Sequence, residues 1–207
     1  LTTRHAAPED LFLHVRGASG SHVIVPTPRG KSVPKETLLD AAELLRHERF
    51  AFVLVGDGSE RDRLHRRAKD AKLGAAIFLP AIPRAQIPAF MAALDMAYVG
   101  HQRSRVYDHG IASDKLMDCM ISGCVVLHSA QGGNDLVREA ECGLTVPPGD
   151  ATAVARGLRQ LALLSRRERV AMGARGQAYV QAHHTYSGVA RHYLEVLEQT
   201  MGRRREP

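Results

Sequence analysis

Two hydrophobic patterns alternate along this chain. Short apolar runs recur at His22–Pro26, Ala51–Val55, Ala76–Leu79, Asp95–Val99, Val125–His128 and Leu144–Val146. Between them lie stretches whose apolar residues fall three and four apart: KETLLDAAELLRH, Glu60–Lys72, Pro83–Leu94, Asp114–Ile121 and Asn134–Ala140. The first pattern predicts strands buried on both faces, the second amphipathic helices that cover them. Strand and helix in turn at this spacing give a mostly parallel sheet wound on both sides. From Asp150 to about Gln199 the pattern is helical, with breaks near Leu164–Arg166 and Ala182–Thr185. The expected fold is therefore α/β, one doubly wound domain with a helical C-terminal third. Residues 1–22 show little periodicity and read as a lead-in segment, 23–165 as the sheet domain, and 166–207 as helices packed on it with a basic tail.

The turns narrow the chemistry. Tyr107–Gly123 (YDHGIASDKLMDCMISG) combines a glycine turn at Gly110, an N-cap at Ser113 or Asp114, and two charges three residues apart on one helix face, Lys115 and Asp118. A helix start beside a glycine loop favours an anion, because backbone N–H groups point outward and no Cβ blocks approach. A lysine in the first turn opposes the helix dipole unless it meets a ligand anion. Lysine for phosphate and carboxylate for sugar hydroxyls suit a nucleoside diphosphate; a polar first turn on an ordinary surface helix is the competing reading. Asp57 and Gly58 form a sharp turn at the carboxyl end of a strand, where open α/β sheets bind ligands. Gly30-Lys31-Ser32 is not a P-loop, since the glycine required five residues before Gly30 is Val25. His109 is the nearest candidate proton acceptor, against the reading of a surface loop histidine. His101, His128, His183 and His184 lack ligand spacing.

Composition removes several classes. No apolar run approaches the roughly 20 residues of a membrane span, which suggests a soluble, cytoplasmic protein. Three cysteines without CxxC spacing read as reduced core residues, and no metal site is expected. The net charge of +6 gathers in Arg61–Lys69, in LLSRRERV and at Arg203–Arg205, with 5% aromatics and no tryptophan, so nucleic acid is a poor partner. Solvated helix faces are the expected place for these charges, with contact to an anionic membrane surface as the functional alternative.

Four separated blocks then agree with one family. LVGDGSERDRL, IFLPAIPRAQIPAFMAALDMAYV, SDKLMDCMISGCVVLHS and GNDLVREAECGLTVPPGD resemble, in order and spacing, the C-terminal nucleotide-sugar-binding domain of group 1 glycosyltransferases, with the fucosamine transferase type nearest in flavour. The resemblance covers about Val23 to Leu163. It implies a Rossmann-like half of a GT-B fold and retaining transfer from a nucleotide sugar, UDP-sugar ahead of GDP-sugar, with no cofactor. Asp118 matches the second acidic position of the family's Glu-x7-Glu motif, which holds ribose hydroxyls. Gly110 stands where most members carry the first Glu, as in the fucosamine type. The loop and helix start, Gly110, Ile111, Ala112, Ser113, Asp114 and Leu116, would face the diphosphate with Lys115 as charge partner. Asp57 and Gly58 match the turn beside the nucleoside, and Pro80 and Ile82 lie in the segment that contacts the base. Arg29, Gly30 and Lys31 replace a Gly-x-x-Gly loop near the pyrophosphate. An acceptor domain is expected as a partner or a missing half, and a lipid-linked acceptor at the inner membrane face is compatible with the basic surface. A non-catalytic nucleotide-sugar or membrane-surface module is the alternative.

Overall fold

The computed structural model describes residues 11–15, 21–25, 33–58 and 60–203, with only the backbone described for residues up to 35 and for 201–203. The described strands form one seven-stranded sheet in the order β4-β3-β1-β2-β5-β6-β7. They are β1 (Leu11–Val15), β2 (Ser21–Val25), β3 (Phe52–Val55), β4 (Ala76–Leu79), β5 (Met96–Gly100), β6 (Val125–Ser129) and β7 (Gly143–Val146). β1 runs antiparallel to both its neighbours, and every other pairing is parallel. Six strands therefore end on one edge. The chain steps outward from β2 to β3 and β4 and then returns to place β5 on the far side of β2, which opens a crevice between β2 and β5.

Period-two alternation divides the core between the two faces. Met96, Tyr98, Val125 and Leu127 pack on one face with Leu38, Leu39 and Leu45 of α1 (Val33–Leu44) and its end, Leu64 and Ala68 of α2 (Arg61–Asp70), and Val154, Leu158 and Leu161 of α6 (Ala151–Leu163). Ala97, Val99 and Val126 turn to the other face, against Met91 of α3 (Ile87–Ala92), Leu116, Cys119 and Met120 of α4 (Asp114–Ile121), Val137 of α5 (Leu136–Glu139) and Val180 of α7 (Arg166–His183). The doubly wound α/β fold is as expected. The two breaks in the C-terminal helical run also fall where the pattern put them, separating α6, α7 and α8 (Tyr186–Arg203). Ser165 and Glu168 start α7 with a reciprocal capping box. Gly173 lets α7 rest on the turn after α4, where a Cβ would overlap the Gly123 carbonyl oxygen.

Three expectations are corrected. The lead-in segment contributes β1 to the middle of the sheet. Five residues interrupted by His14 give too short a period to register, and antiparallel insertion breaks the βα rhythm. The helix expected over Pro83–Leu94, with Pro88 in its first turn, is a 3-10 turn at Arg84–Gln86 followed by the shorter α3; Pro88 does sit in the first turn of α3, the one place in a helix that tolerates it. The basic runs are not simply solvated. Arg63 pairs with Glu36 and Glu60, Arg67 with Asp40, and Arg169 is buried beside Asp95 at 3.6 Å while donating to the Leu164 carbonyl.

Candidate functional site

The loops at the carboxyl edge carry the described candidates. Asp57 and Gly58 follow β3; the Asp57 carboxylate accepts from the Ala81 amide at 3.4 Å and pairs with Arg61 at 3.7 Å. Pro80 is exposed and Ile82 half-buried in the adjoining loop after β4. These two turns lie three and four strand spacings from the loop after β5, roughly 14 and 19 Å across the sheet. They can flank one extended ligand but cannot touch the same atom. Arg29, Gly30 and Lys31 lie outside the described residues.

The loop after β5 is built around Tyr107. Its carbonyl accepts from the Gly110 amide at 3.0 Å and the Gly133 amide at 2.8 Å, joining the loops that follow β5 and β6. Gly110 has φ +119°, which only glycine adopts freely, and it turns the chain toward α4. Gly133 lies so close that a Cβ would overlap the Asp108 carbonyl oxygen. Asn134 then holds two successive peptide units at Ile111: its Oδ1 accepts from the Ile111 amide at 2.6 Å and its Nδ2 donates to the Ile111 carbonyl at 3.2 Å. Ser113 is the N-cap of α4, its hydroxyl accepting from the Leu116 amide at 3.3 Å. Leu116 is buried in the core and anchors the helix. The amides of Ala112, Ser113 and Asp114 are left without a hydrogen-bond partner among the described residues. Ala112 and Asp114 are exposed, as is His109.

Lys115 follows that start and is 9% exposed. An ammonium this far from water is costly unless an anion or a network of hydrogen bonds compensates it. Asp118 is half-buried one turn on. Burial pushes its carboxyl up from the ordinary range; Arg84 and Lys115 oppose that shift and Asp114 adds to it. Arg84, in the loop after β4, therefore bears on the same helix face from another strand. Beneath the loop, His128 Nε2 and His101 Nδ1 stand 3.2 Å apart, with the Tyr107 ring edge-on to His101 at 5.3 Å. Burial lowers both histidines to about 4, with His128 and Lys115 adding to the effect at His101. They are neutral rings that support the loop. Among the described residues no group of three histidine, cysteine or acidic side chains is placed to hold a metal ion.

Sequence reasoning brought Gly110, Ile111, Ala112, Ser113, Asp114, Lys115, Leu116 and Asp118 to one place. It missed Asn134, Arg84 and the histidine pair. Arg84 stood inside a quoted block at a strand's carboxyl end, where its charge was a usable signal. Asn134 and the histidines meet partners 23 and 27 residues away, which no local pattern reveals.

A doubly wound sheet with a glycine loop and helix start at its switch point defines a nucleotide-binding type of domain. The sequence profile of the family described as "Glycosyl transferases group 1" matches residues 31–163, and the chain belongs to that family. It is 27% identical over 124 residues to a probable glycosyltransferase, WbjE, of Pseudomonas aeruginosa, covering 58% of this chain and 30% of that protein. The C-terminal domain of the group 1 protein LpcC from Francisella tularensis superimposes with a TM-score of 0.62 at 18% identity, covering 79% of this chain and 85% of that domain. Anabaena HepE, solved in complex with UDP-glucose, gives 0.65 at 22% identity, covering 86% of this chain and 48% of that one. The chain spans 24% to 35% of the length of the curated relatives it matches. The fold is thus that of the C-terminal GT-B domain. No helix among the described residues is long and apolar enough to cross a membrane.

Proposed function

We propose that this chain binds the nucleoside diphosphate of a sugar donor at the β2/β5 crevice and serves glycosyl transfer in polysaccharide or glycoconjugate synthesis. One observation carries the reading: three amides at the start of α4 that have no hydrogen-bond partner among the described residues stand beside a buried ammonium, Lys115, on the carboxyl edge of the sheet. Both would stabilise a departing diphosphate, and more strongly once water is excluded. In this reading Asp118 accepts ribose hydroxyls, and Asp57, Gly58, Pro80 and Ile82 flank the nucleoside and base. HepE was solved with UDP-glucose, which favours a UDP-sugar donor. Glycine at position 110 is the ground for placing the chain near the fucosamine transferase type. Transfer with retention needs an acceptor-binding half, consistent with the 48% of HepE that the chain covers.

Calorimetric titration with UDP, GDP and ADP tests the reading. Saturable UDP binding is expected, weakened roughly 10- to 100-fold by Lys115→Ala, as for loss of one charge-assisted contact, and weakened also by Asp118→Ala. UDP affinity that both substitutions leave unchanged would place the nucleotide elsewhere and end this assignment.

A further inference from the structure

We infer that Asn134 is a positioning residue for recognition of the diphosphate, a role that rests on the donor-site reading above. Its amide does not itself complete the anion site. It takes up both backbone polar groups of Ile111, the N–H at 2.6 Å and, in the following peptide unit that also carries the Ala112 N–H, the carbonyl at 3.2 Å. With Ile111 committed in this way, the next three amides, Ala112, Ser113 and Asp114, are the ones left without a partner among the described residues and open to a ligand. The clamp is borne by the loop after β6, which is itself locked to Tyr107 through the Gly133 amide at 2.8 Å. A fixed peptide plane matters for an anion held by backbone groups, because such a site has no side-chain freedom to correct a rotated donor. Loop rigidity is thereby supplied from a neighbouring strand and bears on the phosphates, while the turns after β3 and β4 that flank the base lie roughly 14 and 19 Å away across the sheet and Asp118 sits a turn further along α4.

The test compares UDP with uridine on the full chain. Asn134→Ala should weaken UDP about tenfold, the loss expected for two neutral hydrogen bonds, and change uridine affinity by less than about twofold. Hydrogen exchange at the Ile111 amide should accelerate in the same variant without ligand. Asn134→Asp keeps an acceptor for that amide but sets a charge beside the phosphates, so its UDP defect should be larger and should shrink as salt is raised. Thr145→Val is the control for stability: it removes a 2.8 Å hydrogen bond to Asp135 at the adjacent helix start and should leave both affinities unchanged. Wild-type UDP affinity in both Asn134 variants, or equal losses of UDP and uridine, would overturn the positioning role alone. Failure of the unsubstituted chain to bind UDP would overturn the donor-site reading, and this role with it.

Discussion

Replacing Arg169 with methionine should be among the most damaging single changes in the protein, although it lies far from the candidate site. Arg169 is 6% exposed, faces Asp95 at the start of β5 and donates to the carbonyl that ends α6. Methionine fills similar volume, so the cost comes from leaving a carboxylate of 17% exposure without its guanidinium. Breaking a buried pair costs about 3–5 kcal/mol, and the lower end applies at a 3.6 Å separation with Arg166 still contributing at longer range. About 3 kcal/mol in a chain of this size lowers the melting temperature by roughly 6–12 °C. Burial raises the Asp95 carboxyl above its ordinary value, and Arg169 is the chief opposing influence. A carboxyl with a raised folded pKa favours folding when protonated and opposes it as pH rises. The deficit of Arg169→Met should therefore be largest at neutral pH and shrink toward about pH 4. Urea denaturation across that range, with the double variant carrying Asp95→Asn, reads the effect. A deficit under about 1 kcal/mol at neutral pH, or no recovery on neutralising Asp95, would refute the argument.

Two further outcomes follow from the same structure. His101 and His128 are held near 4, below the ordinary histidine value of 6.5, so folding excludes their protons. That contribution is complete above about pH 6.5 and is lost as pH falls toward 4; unfolding free energies at neutral pH and at about pH 5 should differ by on the order of 4 kcal/mol, about 2 from each ring, and a flat profile would contradict a neutral pair. Gly173→Ala sets a methyl against the Gly123 carbonyl, and overpacking of about 1–3 kcal/mol should appear in the urea midpoint unless α7 can slide aside.

Most strands and the helix that carries the site were legible because glycine and proline bound them and their periods are clean. β1 was not, since five residues with a histidine in the middle carry too little pattern, and its antiparallel place between β2 and β3 follows from pairing across the sheet. Arg169 misled for a different reason. In the run Arg166–Arg169 every charge looks solvated, and only the docking of α7 decides which one turns inward to Asp95. The candidate loop itself was local in sequence: Gly110, Ser113 and Lys115 announce it. What holds that loop in shape, Asn134 and the His128 ring against His101, comes from the next strand and its loop. Sequence spacing thus singled out the candidate loop, while what holds it rigid became visible only in three dimensions.

The three cysteines give α7 an unplanned use. Cys119, Cys124 and Cys142 are free and buried in the layer this helix covers, and Gly176 of α7 passes Cys142 so closely that a Cβ would stand 2.8 Å from the cysteine Cβ. Burial also pushes each thiol upward, to about 12 for Cys124 and Cys142. While the helix stays seated, an alkylating reagent meets neither an accessible nor an ionised sulfur. The rate of thiol modification is then a clock for the lifting of α7 from the back of α4, and it times local opening of the scaffold behind the site without any introduced label.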